Sequence, residues 1–168
     1  MTVAVSPLAW RLDDRLSEVP LDPDAFAREV DARVEAIATM KSQPARLLAM
    51  LTEAAPLLRI AGRLEESRKT ASAAIAIAEL VGDDDSAFAG HLALAQVLQR
   101  EGQFVLATPL YDRLVAQARS MPSHAHRLHD VLFEAGRNLF DQGRQAQAAR
   151  CFRESQALRR SEGRVELL

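Results

Sequence analysis

The sequence predicts an all-α fold: an α-solenoid of three antiparallel helix pairs preceded by an N-terminal helix. The first observation is a repeat. Gly62-Arg63-Leu64, Gly102-Gln103-Phe104 and Gly143-Arg144-Gln145 recur with their glycines 40 and 41 residues apart. The second is what surrounds them at fixed offsets. Leu58, Leu98 and Leu139 stand four residues before each glycine, and the tiny residues Ala55, Ala95 and Gly136 stand seven before. Ala71, Tyr111 and Phe152 stand nine after. The third is composition: thirty alanines and an aromatic content of 5 % favour helix over strand. A fixed period of this length reads as stacked helix pairs, each too small to bury its apolar stripe alone.

The elements follow in order. Residues 1–21 are poorly patterned; Trp10, Leu12 and Leu16 form at most a short amphipathic turn between Pro7 and Pro20. Residues 22–43 hold a leading helix over about 23–40. Asp22 caps it, Pro23 occupies the first helical position, and Asp24 and Glu29 favour the positive N-terminal end. Phe26, Val30, Val34 and Ile37 form its apolar stripe. Ser42-Gln43-Pro44 breaks that helix and restarts the chain.

From there residues 44–163 divide into repeats over 44–82, 86–121 and 124–163. Their helices span 44–61 with 63–81, 86–101 with 103–119, and 124–142 with 144–162. Each turn glycine takes positive φ and ends the first helix of its pair. Gly82-Asp83-Asp84-Asp85-Ser86 and Met121-Pro122-Ser123 separate the pairs, each a stop followed by a capping serine. Gly163 ends the last helix, and 164–168 is a C-terminal tail. Leu64, Phe104, Ala107 and Ala148 face back to the first helix of each pair. Ala71, Tyr111 and Phe152 are expected to reach the next pair. Pro56 and Pro109 fall inside helices, where each removes one N–H and is read as a tolerated kink.

Charge and chemistry narrow the function class. The net charge of −2 offers no basic excess for a phosphate backbone, so nucleic acid is disfavoured. A single cysteine, Cys151, excludes an internal disulfide and fits a reducing compartment. No leader pattern or membrane-length apolar run is visible, so a cytoplasmic location is expected. His124, His126 and His129 with Asp130 lack the spacing of a metal site and read as a surface cluster at a helix start. His91 reads as a satisfied, partly buried side chain. Arg150 and Arg153 flank Cys151, but no general base accompanies it, so it reads as an inert thiol. No catalytic motif or cofactor cradle is present, and an enzyme is not expected.

The offsets together resemble the tetratricopeptide repeat. The resemblance rests on the tiny residue, the turn glycine with an apolar residue two later, the alanine five after and the aromatic nine after. Repeat two fits best, with Ala95, Leu98, Gly102, Phe104, Ala107 and Tyr111. Repeat one departs at Ser67 and Ala71, and repeat three at Gln145. The period of 40 or 41 residues is similar to the long-helix variety of kinesin light chains and bacterial regulatory proteins rather than the 34-residue form.

The resemblance implies a right-handed solenoid whose first helices line a concave groove for a peptide or partner helix. Lining residues would lie 13, 10, 6, 3 and 2 places before each turn glycine. The candidates are Arg59, Leu92, Gln96, Gln99, Arg100, Phe133, Arg137 and Phe140. The arginines and glutamines offer fork-shaped and amide donors to carboxylates or an extended backbone. Phe133 and Phe140 either anchor an apolar side chain or pack against residues 1–40 or a further helix. A chaperone-tail clamp does not fit, because Asp130 and Glu134 hold two of its cationic places. The expected partner is a protein or peptide, with no cofactor. The alternative is a homo-oligomer, such as a homodimer, or a secretion-type chaperone using the same helices.

Overall fold

A computed structural model of the chain describes residues 6–40 and 43–161. Seven α-helices follow a short hairpin: α1 (Pro23–Thr39), α2 (Pro44–Ile60), α3 (Leu64–Val81), α4 (Asp84–Arg100), α5 (Phe104–Ser120), α6 (Leu128–Asp141) and α7 (Gln145–Ser161). The predicted helices are all present, with ends shifted by a few residues. Gly163 and the tail 164–168 lie outside the described residues.

The turn glycines behave as the repeat requires. Gly62, Gly102 and Gly143 have φ of +78°, +72° and +73°. In each case the residue after the glycine donates its N–H to the carbonyl of the leucine four before it. These bonds are Arg63 to Leu58 (2.9 Å), Gln103 to Leu98 (2.8 Å) and Arg144 to Leu139 (2.9 Å). The conserved spacing of leucine and glycine is thus also a hydrogen-bond spacing, which closes the open carbonyls of the helix end.

The helix starts differ from expectation. Asp22 does cap α1, accepting from Ala25 N at 3.0 Å. At α4, however, the cap is Asp83 rather than Ser86: its carboxylate accepts both the Ser86 N–H (3.0 Å) and the Ser86 hydroxyl (2.8 Å). A carboxylate one place before the helix reaches the third helical N–H, which a serine inside the first turn cannot. Ser123 caps nothing; Pro122–Arg127 forms a 3-10 helix and α6 begins only at Leu128.

The N-terminal segment is a second correction. Trp10–Leu12 (β1) and Glu18–Pro20 (β2) pair antiparallel with Trp10 opposite Pro20 and Leu12 opposite Glu18. Asp13 shapes the turn, its carboxylate accepting from Arg15 N (2.9 Å) and Ser17 N (2.8 Å) while Leu16 takes a φ of +58°. Three-residue strands are too short for a period-2 signal, and such a hairpin is marginal without support.

The chain forms two compact units, Met1–Ala93 and Leu94–Leu168, with the boundary inside α4. In the first unit, Phe26 and Val30 of α1 meet Leu58 of α2, with Leu8, Val34, Leu57, Ile60 and Ala61 around them. Burying one such phenylalanine stabilises by about 1.5–3 kcal/mol. A second cluster joins Leu48 and Leu51 of α2 to Ala74 and Ala78 of α3. Ser67, the departure from alanine in repeat one, is fully buried and donates its hydroxyl to the Ala55 carbonyl at 2.6 Å.

In the second unit Tyr111 and Phe152 each pack onto the first helix of their own pair. The Tyr111 hydroxyl donates to Gln99 Oε1 at 2.8 Å. The Phe152 ring lies where a Cβ on Gly136 would fall within 2.6 Å of it, and its centroid is 5.5 Å from that of Phe133. The reason is helical: a residue nine after the glycine is one turn beyond the one five after, on the same face. Ser155 repeats the Ser67 device, donating to the His129 carbonyl at 2.6 Å.

Candidate functional site

The eight candidates separate once burial is known. Arg59 is 3 % exposed and its guanidinium is forked onto Glu18, with Nη1 to Oε2 at 2.8 Å and Nη2 to Oε1 at 2.7 Å. β2 carries Glu18 onto α2, so Arg59 is consumed within the fold. This ion pair spans 41 residues of sequence, and no local pattern points to it.

Gln99 is likewise buried, at 5 % exposure. Its oxygen takes the Tyr111 hydroxyl and its amide nitrogen donates to Asp141 Oδ2 at 2.6 Å. The place three before the turn glycine therefore holds a polar side chain covered by a neighbouring element in pairs one and two. Phe140 holds the same place in pair three and is 39 % exposed.

Arg137 was expected to offer a free fork. It is buried, with Nη1 3.2 Å from both carboxylate oxygens of Glu134, one turn away on α6. Phe133 is half-buried rather than open. It packs on Phe152 while the Arg159 guanidinium lies 5.4 Å above its ring centroid. Both partners belong to α7, the second helix of its own pair.

Leu92, Gln96 and Arg100 remain. They stand four residues apart on α4, which places them along one stripe. Leu92 and Gln96 are half-buried and Arg100 is exposed, whereas Ala93, Ala95, Val97, Leu98 and Gln99 of the same helix are buried. The stripe grades from apolar through amide to cation.

The other titratable groups are placed as follows. The histidine cluster is a correction: His124 and His129 are buried and only His126 is exposed, because the 3-10 helix packs against α5 and α6. His129 Nε2 lies 3.1 Å from Asp130 Oδ1. Among the described residues no group of three or more His, Cys, Asp or Glu could hold a metal ion. His91 is half-buried with Nδ1 2.8 Å from the Ala87 carbonyl, as expected. The Cys151 thiol is pushed up from its ordinary pKa, first by burial and then by Glu154, with Arg119 opposing. A raised thiol is a poor nucleophile at neutral pH, so the flanking arginines do not activate it. A recess of about 340 Å³ lies between the end of α1 and the start of α2, lined by Met40, Arg46 and Met50 among others. None of the eight candidates lines it. No helix among the described residues is long and apolar enough to cross a membrane.

No family model matches the chain, and no curated protein does. Solved structures do. Two crystal structures of the nearly identical TPR-like repeats of a putative kinesin light chain from Podosopora anserina superpose with TM-scores of 0.64 and 0.61. Identity is 21 % and 22 %, over 84 % of this chain and 70 % or 71 % of theirs. The fold is that of TPR-like repeats. The long-period resemblance read from the glycines and the backbone similarity agree on helix pairs of the same kind.

Proposed function

We propose that the protein is a non-enzymatic protein-interaction module in which the exposed stripe of α4 contacts a peptide or partner helix. One observation supports this reading: Leu92 and Gln96, half-buried, and Arg100, exposed, form one stripe of α4 beside the buried Ala93, Ala95, Val97, Leu98 and Gln99. An apolar contact at one end, an amide in the middle and a cation at the other suit a segment with an apolar residue and a carboxylate about two turns apart. Arg59, Gln99 and Arg137 are no longer part of the contact surface, since their donors serve the fold. TPR-like repeats in general act as interaction scaffolds, and the reading extends that role to this chain as an adaptor or regulatory scaffold in the cytoplasm.

The test is a photo-crosslinking residue placed at Gln96 in the native cell, with Ala76 on the exposed face of α3 as control. Position 96 is expected to capture a discrete partner that position 76 does not, and Arg100→Glu is expected to remove it. Identical capture from both positions sinks the assignment of the α4 stripe.

A further inference from the structure

We propose that the outer face of α5 is a self-association surface on which a second copy of this chain docks, distinct from the α4 stripe. The second helices of the three pairs can be compared place by place. Three, four and seven residues after the turn glycine, α3 holds Glu65, Glu66 and Lys69, and α7 holds Ala146, Gln147 and Arg150. All six are exposed, as solvated outer faces are. On α3 these charges are matched inside the chain, Glu65 by Arg68 and Lys69 and Glu66 by Arg63. At the same places α5 holds Val105, Leu106 and Pro109. Val105 is 86 % exposed, Leu106 is 55 % exposed, and Pro109 is exposed as well. The middle repeat thus turns apolar side chains to water where its neighbours turn charge, and a contiguous patch of that kind marks a contact surface.

The charges beside the patch identify the occupant. At 3.6 residues per turn, Val105, Pro109 and Ala116 fall along one line of α5, opposite its buried Ala107, Tyr111, Leu114 and Ala118. Asp112 lies on one flank of that line, and Leu106 and Arg113 lie on the other. Both charged side chains are exposed, and neither has a hydrogen bond or ion pair among the described residues. Arg119 of the same helix, by contrast, is paired with Glu154 at 2.7 Å. A two-fold axis parallel to α5 exchanges the flanks at one height. It sets Asp112 of each copy against Arg113 of the other, about 1.5 Å apart along the axis, and so closes two ion pairs around the apolar line. An antiparallel pair sets each flank against its own copy, so Asp112 and Arg113 do not meet. Adjacent opposite charges favour neither an acidic nor a basic partner, but they complement a rotated copy of themselves.

The test is sedimentation equilibrium of the full chain over a concentration series. A monomer–dimer equilibrium is expected. Asp112→Arg and Arg113→Asp are each expected to weaken the dimer at least about tenfold, by bringing like charges together. Asp112→Arg combined with Arg113→Asp is expected to restore it, because the exchange rebuilds both pairs. Val105→Glu is expected to weaken the dimer whatever the charges do, and Ser72→Arg, at the place on α3 that matches Asp112, is expected to change nothing. All of these side chains are exposed, so circular dichroism is expected to show every variant folded. A monomer at every concentration, a dimer indifferent to Val105→Glu, or a double variant no tighter than the single ones overturns the proposal. Loss of the dimer leaves the crosslink at position 96 unaffected, so the two readings fail separately.

Discussion

The first and third helix pairs place different residues at the same repeat positions, and each solves the difference within its own unit. In pair one the tiny residue and the residue nine after the glycine are Ala55 and Ala71, both small and both buried. In pair three they are Gly136 and Phe152, and the ring fills the space the glycine leaves. Three before the glycine, pair one holds a cation sealed by a hairpin carboxylate, while pair three holds an open phenylalanine. A repeat position therefore specifies a volume and a direction, and the neighbours decide whether polar, apolar or no cover completes it. Short loops and a fixed turn keep the backbone common to both solutions.

The sharpest way to break this comparison is at Glu18. Its ion pair with Arg59 is 5 % and 4 % exposed at the two side chains, so removing one partner leaves a charge buried without its mate. Glu18→Ala is expected to lower the unfolding free energy by about 3–5 kcal/mol in urea titrations. Glu18→Leu combined with Arg59→Leu is expected to be neutral or stabilising, because burying two charges offsets most of their attraction. A negligible effect of Glu18→Ala would mean that the hairpin does not seal pair one.

The pair-three solution is tested at Gly136. A Cβ there would meet Phe152 Cε1 at 2.6 Å and Cδ1 at 2.8 Å. Gly136→Ala is expected to destabilise by about 1–3 kcal/mol through overpacking. Phe152→Leu added to it is expected to recover part of that loss, as a double-mutant coupling seen by denaturation. Additive losses would separate the two residues and undo the proposed complementarity.

The smallest effect concerns the start of α4, where a carboxylate takes the capping role that the corresponding serine before α6 does not. The Asp83 carboxyl is held below the usual carboxylate range, first by the Ser86 backbone N–H and then by the Ser86 hydroxyl. A depressed folded pKa contributes stability above the unfolded-state value of about 3.9, and that contribution fades as pH falls through the lower folded value. Asp83→Ala is therefore expected to destabilise near neutral pH, with the difference from wild type shrinking below about pH 3.9. A difference that persists or grows in acid contradicts the cap.

Much of the fold was legible because its signals are local. Gly62, Gly102 and Gly143 mark turns through a conformation that only glycine adopts readily, and the leucines four before them accept the closing hydrogen bonds. Pro23 and Asp22 announce α1 for equally local reasons. The candidate site was less legible. Arg59 and Gln99 read as open donors in sequence, since Glu18 and Asp141, which accept from them, lie 41 and 42 residues away, whereas the partner of Arg137, Glu134, is a neighbour one helical turn back and was a local signal. Leu92 and Gln96 are half-buried and Arg100 is exposed along one stripe of α4, a difference from Gln99 that only the packing sets. The hairpin escaped notice because strands of three residues carry too little pattern, and His124 escaped because a 3-10 turn has no period of 3.6.

The sequence by itself determined the helices, their turns and the repeat of tiny residue, leucine and glycine, since each depends on residues within a turn or two of one another. Tertiary structure alone decided which side chains remain available to a partner. Cover comes from contacts such as Glu18 on Arg59 and Asp141 on Gln99, 41 and 42 residues apart. At that separation, side-chain type reports what a residue could offer, and only the packing reports whether it is already spent.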